Sequence, residues 1–110
     1  MEKILFTSES VSEGHPDKLC DQISDAILDY CLANDPNSRV ACECFVTTEK
    51  LIIGGEITSN AKPNYERIAR DVMRNIGYTD KKLGIGADSC EIEVLVKHQS
   101  KDIAQGVDQE

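Results

Sequence analysis

Three side chains of different chemistry stand close together near the start of the sequence, in His15-Pro16-Asp17-Lys18. Pro16 suits the first position of a helix, because its missing N–H would have no partner there. We therefore expect an imidazole, a carboxylate and an ammonium around the N–H groups of a helix N-terminus, which attract anions. With a bound Mg²⁺, such a corner could hold a nucleotide polyphosphate. The simpler alternative is a surface cap in which Asp17 only complements the helix dipole.

A second chemical feature is the pair Glu43 and Glu56, in the segments Arg39–Thr47 and Leu51–Thr58. Both segments are rich in Val, Ile and Thr and predict a hairpin. A turn centred after Glu49 puts the two carboxylates directly opposite each other, and a loop two residues longer makes them diagonal neighbours on the same face. A loop changed by one residue would separate them. Carboxylates on one face repel unless they are solvated or accompanied by a cation, so this face is either a cation site or a wet surface.

Two glycines interrupt the second strand of this hairpin, Gly54 and Gly55. Glycine weakens a strand and commonly marks a bulge or the close approach of a ligand or another backbone. The pair therefore favours a ligand site on the hairpin.

The first helix should position the His-Pro-Asp corner and end near Asp35-Pro36. Helical spacing of apolar residues predicts it. Those residues are Leu19, Ile23, Ile27, Tyr30 and Cys31. The opposite face carries Asp21, Asp25 and Asp29, and a solvated surface explains this acidic row better than a cation site.

A second helix and two further strands complete the expected order of elements. Asn64 is the predicted N-cap and Gly77 the C-cap of a helix, with a stripe of Ile68, Val72 and Ile76. Strands are predicted at Lys3–Thr7 and from Cys90 to Lys97, where Cys90, Ile92, Val94 and Val96 alternate with Glu91, Glu93, Leu95 and Lys97. The resulting class is α+β, a βαββαβ unit with two helices on one face of a largely antiparallel sheet.

Composition restricts the possible partners of the chain. The 110 residues are 40% hydrophobic and carry a net charge of −8, which argues against binding to nucleic acid or to an anionic membrane. The start of the chain lacks the pattern of a signal peptide and no apolar run is long enough to span a membrane, so we expect a cytoplasmic protein. The five cysteines predict reduced thiols. Strand alternation explains Cys42 and Cys44 more simply than a zinc site does.

The sequence also resembles the S-adenosylmethionine synthase family along nearly its whole length. The resemblance is carried by Phe6–Lys18 with its continuation to Ala26, Arg39–Glu43, Gly54–Thr58, Ile76–Tyr78, Gln99-Ser100, Asp102-Ile103 and Gln105–Asp108. It implies that residues 1–98 form the N-terminal domain, one of three similar βαββαβ repeats, and that residues 99–110 begin a flexible loop that closes over the active site. It also implies a homodimer or higher homo-oligomer whose sheets pack face to face around the active sites.

The same resemblance implies substrates, cofactors and residue roles. The family transfers the adenosyl group of ATP to the sulfur of L-methionine and hydrolyses the tripolyphosphate to phosphate and diphosphate, with Mg²⁺ and K⁺. By this likeness, His15 would contact ATP as a catalytic residue, and Asp17 would bind Mg²⁺. Glu43 would bind K⁺, while Glu56 and Gln99 would bind methionine.

Two expectations concern the isolated chain. Its polar, aperiodic end and the basic and metal-binding positions that the family places in later repeats suggest that it is a fragment, with an incomplete site that does not turn over alone. The alternative is a noncatalytic α+β module that binds divalent cations or nucleotide. Dependence on methionine separates the two, because such a module has no reason to need Glu56 or Gln99.

Overall fold

The computed structural model describes residues 15–78 and 85–100, with side chains from residue 18 onward. Its elements are α1 (His15–Asn34), β1 (Arg39–Thr47), β2 (Lys50–Thr58), α2 (Tyr65–Ile76) and β3 (Glu91–Gln99). This order, with two helices and one sheet, confirms the predicted α+β class. The predicted strand Lys3–Thr7 lies outside the described residues. Within the described part, none of the helices has the length and apolar character needed to cross a membrane.

Helix α1 starts at His15, which puts Pro16 in its first turn as predicted. Its apolar stripe is buried, and the acidic row on the other side is exposed, as expected. Tyr30 departs from the prediction, since 40% of its surface is exposed. The neighbouring Cys31 is fully buried and occupies the inner side of that last turn. The helix ends where the backbone N–H of Asp35 donates to the Cys31 carbonyl over 2.8 Å.

The predicted hairpin is present as β1 and β2, paired antiparallel from Thr47 opposite Lys50 to Arg39 opposite Thr58. Strand β2 begins one residue earlier than expected, so the turn contains only Thr48 and Glu49. Glu49 has a left-handed backbone with a φ of 54°, which is uncommon for a residue other than glycine. Its side chain accepts hydrogen bonds from the backbone N–H of Gly86 and the Ser89 hydroxyl, which fixes this turn.

Helix α2 has both predicted caps. The Asn64 side chain accepts from the backbone N–H of Arg67, and Gly77 ends the helix in the left-handed region with a φ of 108°. The buried line differs from the predicted stripe, because the fully buried residues are Ala69 and Met73. Ile68 and Val72 are half-buried beside that line, and 37% of Ile76 is exposed. The face of α2 that packs against the core is therefore centred on Ala69 and Met73, each one residue after a member of the predicted stripe.

The sheet has the order β1-β2-β3 in the described residues, with β2 in the centre. It is mixed, since β1 pairs antiparallel and β3 pairs parallel with β2. The parallel pair is joined by a crossover through α2, as parallel strands require. Both helices contribute to one hydrophobic core with a single face of the sheet, formed mainly by Leu19, Ile23, Ile27, Cys44, Val46, Leu51, Ile53, Ile57, Ala69 and Met73.

Candidate functional site

The face of the sheet that points away from this core carries three of the five residues singled out from the sequence. Because successive side chains of a strand point to opposite faces, the register puts Glu43 of β1, Glu56 of β2 and Gln99 of β3 on that side. All three residues are exposed. We call this side of the three strands the open face. It gathers onto one surface residues that lie up to 56 positions apart in the sequence.

The three side chains form a diagonal row across the sheet. Glu43 pairs with Gly54, two positions before Glu56, and Gln99 pairs with Thr58, two positions after it. Diagonal neighbours in antiparallel strands, such as Glu43 and Glu56, are about 7–8 Å apart, within joint reach of one small ligand. Glu43 and Glu56 are thus diagonal neighbours, but the two-residue turn that produces this arrangement is centred one residue earlier than direct opposition requires and is not the longer loop expected for it. The predicted placement of both on one face is confirmed.

The absence of a side chain has a different structural consequence at each of the two glycines of β2. Gly55 has a φ of 128°, and an added Cβ would lie 1.9 Å from the carbonyl oxygen of Ala41, so the paired strand excludes any side chain there. A Cβ at Gly54 would meet nothing within 4 Å. Gly54 lies on the open face opposite Glu43, so its missing side chain leaves room beside the carboxylates. Of the two glycines, Gly54 is the one whose position fits the predicted approach of a ligand.

A shallow cavity of about 690 Å³ covers this part of the open face. Its lining includes Glu43, Phe45, Ile52, Gly54 and Glu56. Ligand sites of roughly 300–1,000 Å³ that combine apolar walls with a few polar groups are typical of small-molecule binding. Phe45 and Ile52 supply the apolar wall at one end of the carboxylate row, and the site therefore suits a ligand that is cationic at one end and apolar at the other.

Lys97 adds a positive charge to the same surface, and the sequence reasoning did not count it among the site residues. It is the direct neighbour of Glu56 on the adjacent strand, about 5 Å away by the spacing of strands. Neither residue forms an ion pair with any part of the chain that the structure describes. The period-two spacing of Lys97 and Gln99 could have revealed this position. We call the group Glu43, Glu56, Lys97 and Gln99 the ligand-facing end of the open face.

The opposite end of the open face, next to the turn, also holds charged side chains, but these are paired internally. The Lys50 ammonium lies 3.2 Å from a carboxylate oxygen of Glu93 and 3.7 Å from one of Glu91. The hydrogen bond to Glu93 and the charges of both carboxylates raise the pKa of Lys50 above its ordinary value of 10.5. With Glu49 bound to the 85–90 segment, these residues form what we call the hairpin end.

His15 and Asp17, the remaining two predicted site residues, are the first and third residues of α1. Their side chains lie outside the described part, so their roles toward ATP and Mg²⁺ stay predictions. Among the residues that are described, no group of three or more His, Cys, Asp or Glu side chains is arranged to hold a metal ion. Glu43 and Glu56 do offer the hard carboxylate oxygens that Mg²⁺ and K⁺ accept. A bound cation here would need further ligands from outside the described residues or from a substrate.

The cysteine pair Cys42 and Cys44 belongs to the core side of β1, as strand alternation predicted. The Cys42 thiol donates to the Cys44 sulfur, and this contact raises the pKa of Cys42 and lowers the pKa of Cys44. The Ser24 hydroxyl, 3.5 Å away, is a second donor to Cys44. These thiols fill space between α1 and the sheet, on the side opposite the carboxylates.

Comparison with known proteins gives one consistent result. Residues 3–101 match the family model described as S-adenosylmethionine synthetase, N-terminal domain. The chain is 64% identical over 104 residues to the S-adenosylmethionine synthase of Mesoplasma florum, a match that covers 94% of this chain and 28% of that protein. It is 61% identical over 108 residues to the synthase of Mycoplasma capricolum, covering 98% of this chain and 28% of the relative. The chain therefore spans a little over a quarter of the length of these curated relatives.

Proposed function

Because the chain belongs to the family of S-adenosylmethionine synthetase N-terminal domains, we propose that it forms part of the active site of a methionine adenosyltransferase. The enzyme joins ATP and L-methionine to give S-adenosylmethionine. The methionine sulfur forms a bond to C5′ of ATP while the C5′–O bond breaks, and the tripolyphosphate leaves with the electron pair. The tripolyphosphate is then hydrolysed to phosphate and diphosphate.

The observation that carries this proposal is the ligand-facing end of the open face. Methionine has an ammonium and a carboxylate in one head group and an apolar thioether chain. Glu56 offers an anion for the ammonium, Lys97 a cation for the carboxylate, and Gln99 an amide that can donate and accept. Phe45 and Ile52 provide an apolar surface nearby. This combination suits an amino acid better than it suits a nucleotide, whose phosphates would be repelled by both glutamates.

The proposed roles of the remaining residues follow the family likeness. His15 contacts ATP near the junction of ribose and triphosphate, and Asp17 contributes to Mg²⁺ binding at the start of α1. Glu43 contributes to K⁺ binding, which would relieve its repulsion from Glu56 on the same face. Mg²⁺ and K⁺ supply positive charge that stabilises the anionic leaving group. Gln99 ends β3, and the residues that follow it to 110, of which 101–110 lie outside the described part, begin the loop that covers the bound substrates and excludes water.

The assembly and location of the enzyme are part of the same proposal. We place the enzyme in the cytoplasm, as a homodimer or higher homo-oligomer in which the open faces of two subunits meet around the sites. The apolar side chains of the open face, including the 58% exposed Leu95, would be covered in such an assembly. The parts of the site not provided by these 110 residues would come from sequence corresponding to the rest of the relatives, and the chain alone would not turn over.

The decisive experiment measures product directly. The chain is compared with a chimera in which it replaces the matching N-terminal segment of the Mesoplasma florum synthase. Both are incubated with ATP, methionine, Mg²⁺ and K⁺, and S-adenosylmethionine is detected by mass spectrometry. Product from the chimera alone is the expected result. Absence of product from a folded chimera, when the parent synthase is active, would favour the noncatalytic module that binds cations or nucleotide.

A variant of the same chimera tests the role proposed for His15. His15→Ala in the chimera should slow adenosyl transfer far more than it weakens methionine binding, because His15 is assigned to ATP and the reacting centre. Near-normal turnover would contradict the role proposed for His15. Methionine binding, measured separately by calorimetry, distinguishes a lost catalytic contact from a lost fold.

A further inference from the structure

The last residues of β3 are attached to the segment that follows β2 at Ser59. The backbone N–H of Ser59 donates to the Gln99 carbonyl over 3.0 Å. The carbonyl of the same Ser59 lies 3.0 Å from Nε2 of His98. Ser59 thus binds the backbone of Gln99 and the side chain of the residue before it. Ser59 therefore helps to fix the direction in which Gln99 leaves the sheet, together with Asn60, whose side-chain oxygen accepts from the Ser100 hydroxyl over 3.0 Å.

His98 also contacts helix α2, and its two partners define its tautomer. A carbonyl only accepts, so Nε2 of His98 carries the hydrogen and donates to Ser59. In the neutral ring, Nδ1 then accepts from the Tyr65 hydroxyl, 2.9 Å away. Burial raises the pKa of Tyr65 to about 12, so this hydroxyl keeps its proton at neutral pH. The two rings also meet edge to face, with their centroids 6.4 Å apart.

Ser59 is itself held in place by hydrogen bonds of its side chain and of the next residue. It is 1% exposed, and its hydroxyl lies 2.7 Å from that of Ser38 and accepts from the backbone N–H of Ala61 over 2.9 Å. The next residue, Asn60, donates its backbone N–H to the Asp35 carboxylate at the end of α1 over 2.9 Å. The end of β3 is therefore linked to both helices: to α2 through Tyr65, and to the end of α1 through Asn60 and Asp35.

Adjacent residues of a strand point to opposite faces, so His98 lies behind the sheet while Gln99 lies on the open face. We propose that the Tyr65–His98–Ser59 chain of hydrogen bonds holds Gln99 in the orientation that binds methionine, with His98 as a positioning residue that does not touch the substrate. This inference rests on the proposed function, because it assigns His98 to the methionine contact of Gln99. It predicts an effect on methionine that is transmitted only through the neighbouring residue.

The test uses the chimera and measures KM for methionine, KM for ATP and hydrolysis of added tripolyphosphate. His98→Ala should raise the methionine KM about fivefold, as expected for the loss of one ordinary hydrogen bond, and leave the other two values within about twofold. Tyr65→Phe removes only the hydroxyl and should give a smaller rise in the same direction. His98→Gln can still donate to the Ser59 carbonyl and should restore most of the methionine affinity.

The double variant His98→Ala/Gln99→Ala shows whether His98 acts through Gln99. If it does, the double variant has the same methionine KM as Gln99→Ala alone, because residues in one network are not additive. An additive rise would overturn the inference. An equal loss of tripolyphosphate hydrolysis in His98→Ala would instead indicate general unfolding and leave the decision to a milder variant. Tyr65→Phe, which keeps the packed ring, still decides the matter in that case: an unchanged methionine KM overturns the inference.

The outcomes also separate this inference from the proposed function. An active chimera in which Gln99→Ala raises the methionine KM but His98→Ala does not would retain the function and overturn the positioning role. An active chimera in which Gln99→Ala has no effect would overturn both the methionine contact of Gln99 and the role of His98. An inactive chimera, beside an active parent synthase, would overturn the proposed function itself.

Discussion

The two ends of the open face contain similar charged residues, which form ion pairs within the described chain at one end but not at the other. At the hairpin end, Lys50 binds Glu91 and Glu93, and Glu49 binds the 85–90 segment. At the ligand-facing end, Glu56 and Lys97 stand side by side, and neither has an ion pair among the described residues. Charged side chains that pair with each other within the chain stabilise the fold. Charged side chains without such an ion pair, when they stand on a fixed backbone, can bind a ligand.

The backbone behind each end is held by hydrogen bonds, which makes this comparison informative. Arg70 donates to the carbonyls of Ala87 and Cys90 near the hairpin end. Ser59 and His98 fix the other end from the core side. The open charges at the ligand-facing end are therefore not a sign of a loose edge. They are presented by a segment whose position is determined by contacts on the opposite face.

The largest effect is expected for the backbone under the ligand-facing end. Gly55→Ala places a Cβ against the Ala41 carbonyl and imposes a side chain at a φ of 128°. We expect it to lower the free energy of unfolding by at least about 2 kcal/mol. The matched control is Gly54→Ala, which meets no atom within 4 Å and should stay within about 1 kcal/mol of wild type. Urea denaturation of both variants measures the difference, and equal losses would show that the strand tolerates neither methyl group.

The next effect concerns the carboxylate of Glu56. In the chimera, Glu56→Gln should raise the methionine KM roughly 30-fold, the equivalent of a charged hydrogen bond of about 2 kcal/mol. Hydrolysis of added tripolyphosphate should be comparatively intact, because that step does not use methionine. Steady-state kinetics on both reactions provide the measurement. A parallel loss of the two activities would point instead to misfolding or to a role shared by both steps.

A smaller effect is expected for the positive charge beside it. Lys97→Met keeps the length and apolar stem of the side chain but removes the ammonium that we propose faces the methionine carboxylate. The methionine KM should rise about two- to fivefold, the range of an exposed ion pair, and this rise should shrink at high salt. A lower KM would show that Lys97 competes with the methionine ammonium for Glu56, which would reverse its assigned role.

The smallest effect is expected at the hairpin end. Lys50→Met makes the same substitution on the neighbouring strand and should leave the methionine KM within about twofold of wild type. Because the pKa of Lys50 is raised, its contribution to stability is fully present below pH 10.5 and is lost as the pH rises through the higher folded value. Thermal unfolding of wild type and variant should therefore converge above that pH. A large change in methionine KM would break the distinction between the two ends.

The fold was largely predictable because its local signals agree with the tertiary structure. Richness in Val, Ile and Thr predicted a strand at Arg39–Thr47 with the observed bounds, and Asn64 and Gly77 predicted both ends of α2. Strand alternation predicted that Glu43 and Glu56 share one face only for certain turn lengths, and the observed register meets that condition. Local pattern did not reveal how deeply individual side chains are buried, so it overestimated the burial of Tyr30 and Ile76, and it did not find the partners that hold Glu49.

The candidate site was predictable only in part, for a related reason. The hairpin pattern singled out Glu43 and Glu56, and family likeness added Gln99 and gave all three their roles. Strand pairing then explains why they meet. The period-two spacing of Lys97 and Gln99 puts both on one face, but the place of Lys97 beside Glu56 depends on the parallel register of β2 and β3, which no local pattern specifies. The contact between Tyr65 and His98 joins residues 33 positions apart through a crossover, and only the packing of α2 beside the end of β3 brings them together.

The two-residue turn at Thr48-Glu49 also limits how the gene for this protein can change. Strand faces alternate with a period of two, so a register shift of one residue would exchange the two sides of a strand. A one-codon insertion or deletion that shifted β1 would bury Glu43 in the core and expose Cys44 and Val46. Mutations of this kind should therefore be removed by selection, unless a bulge absorbs the extra residue. Substitutions in the turn preserve the parity and remain open to evolution, provided that they accept the left-handed backbone of position 49.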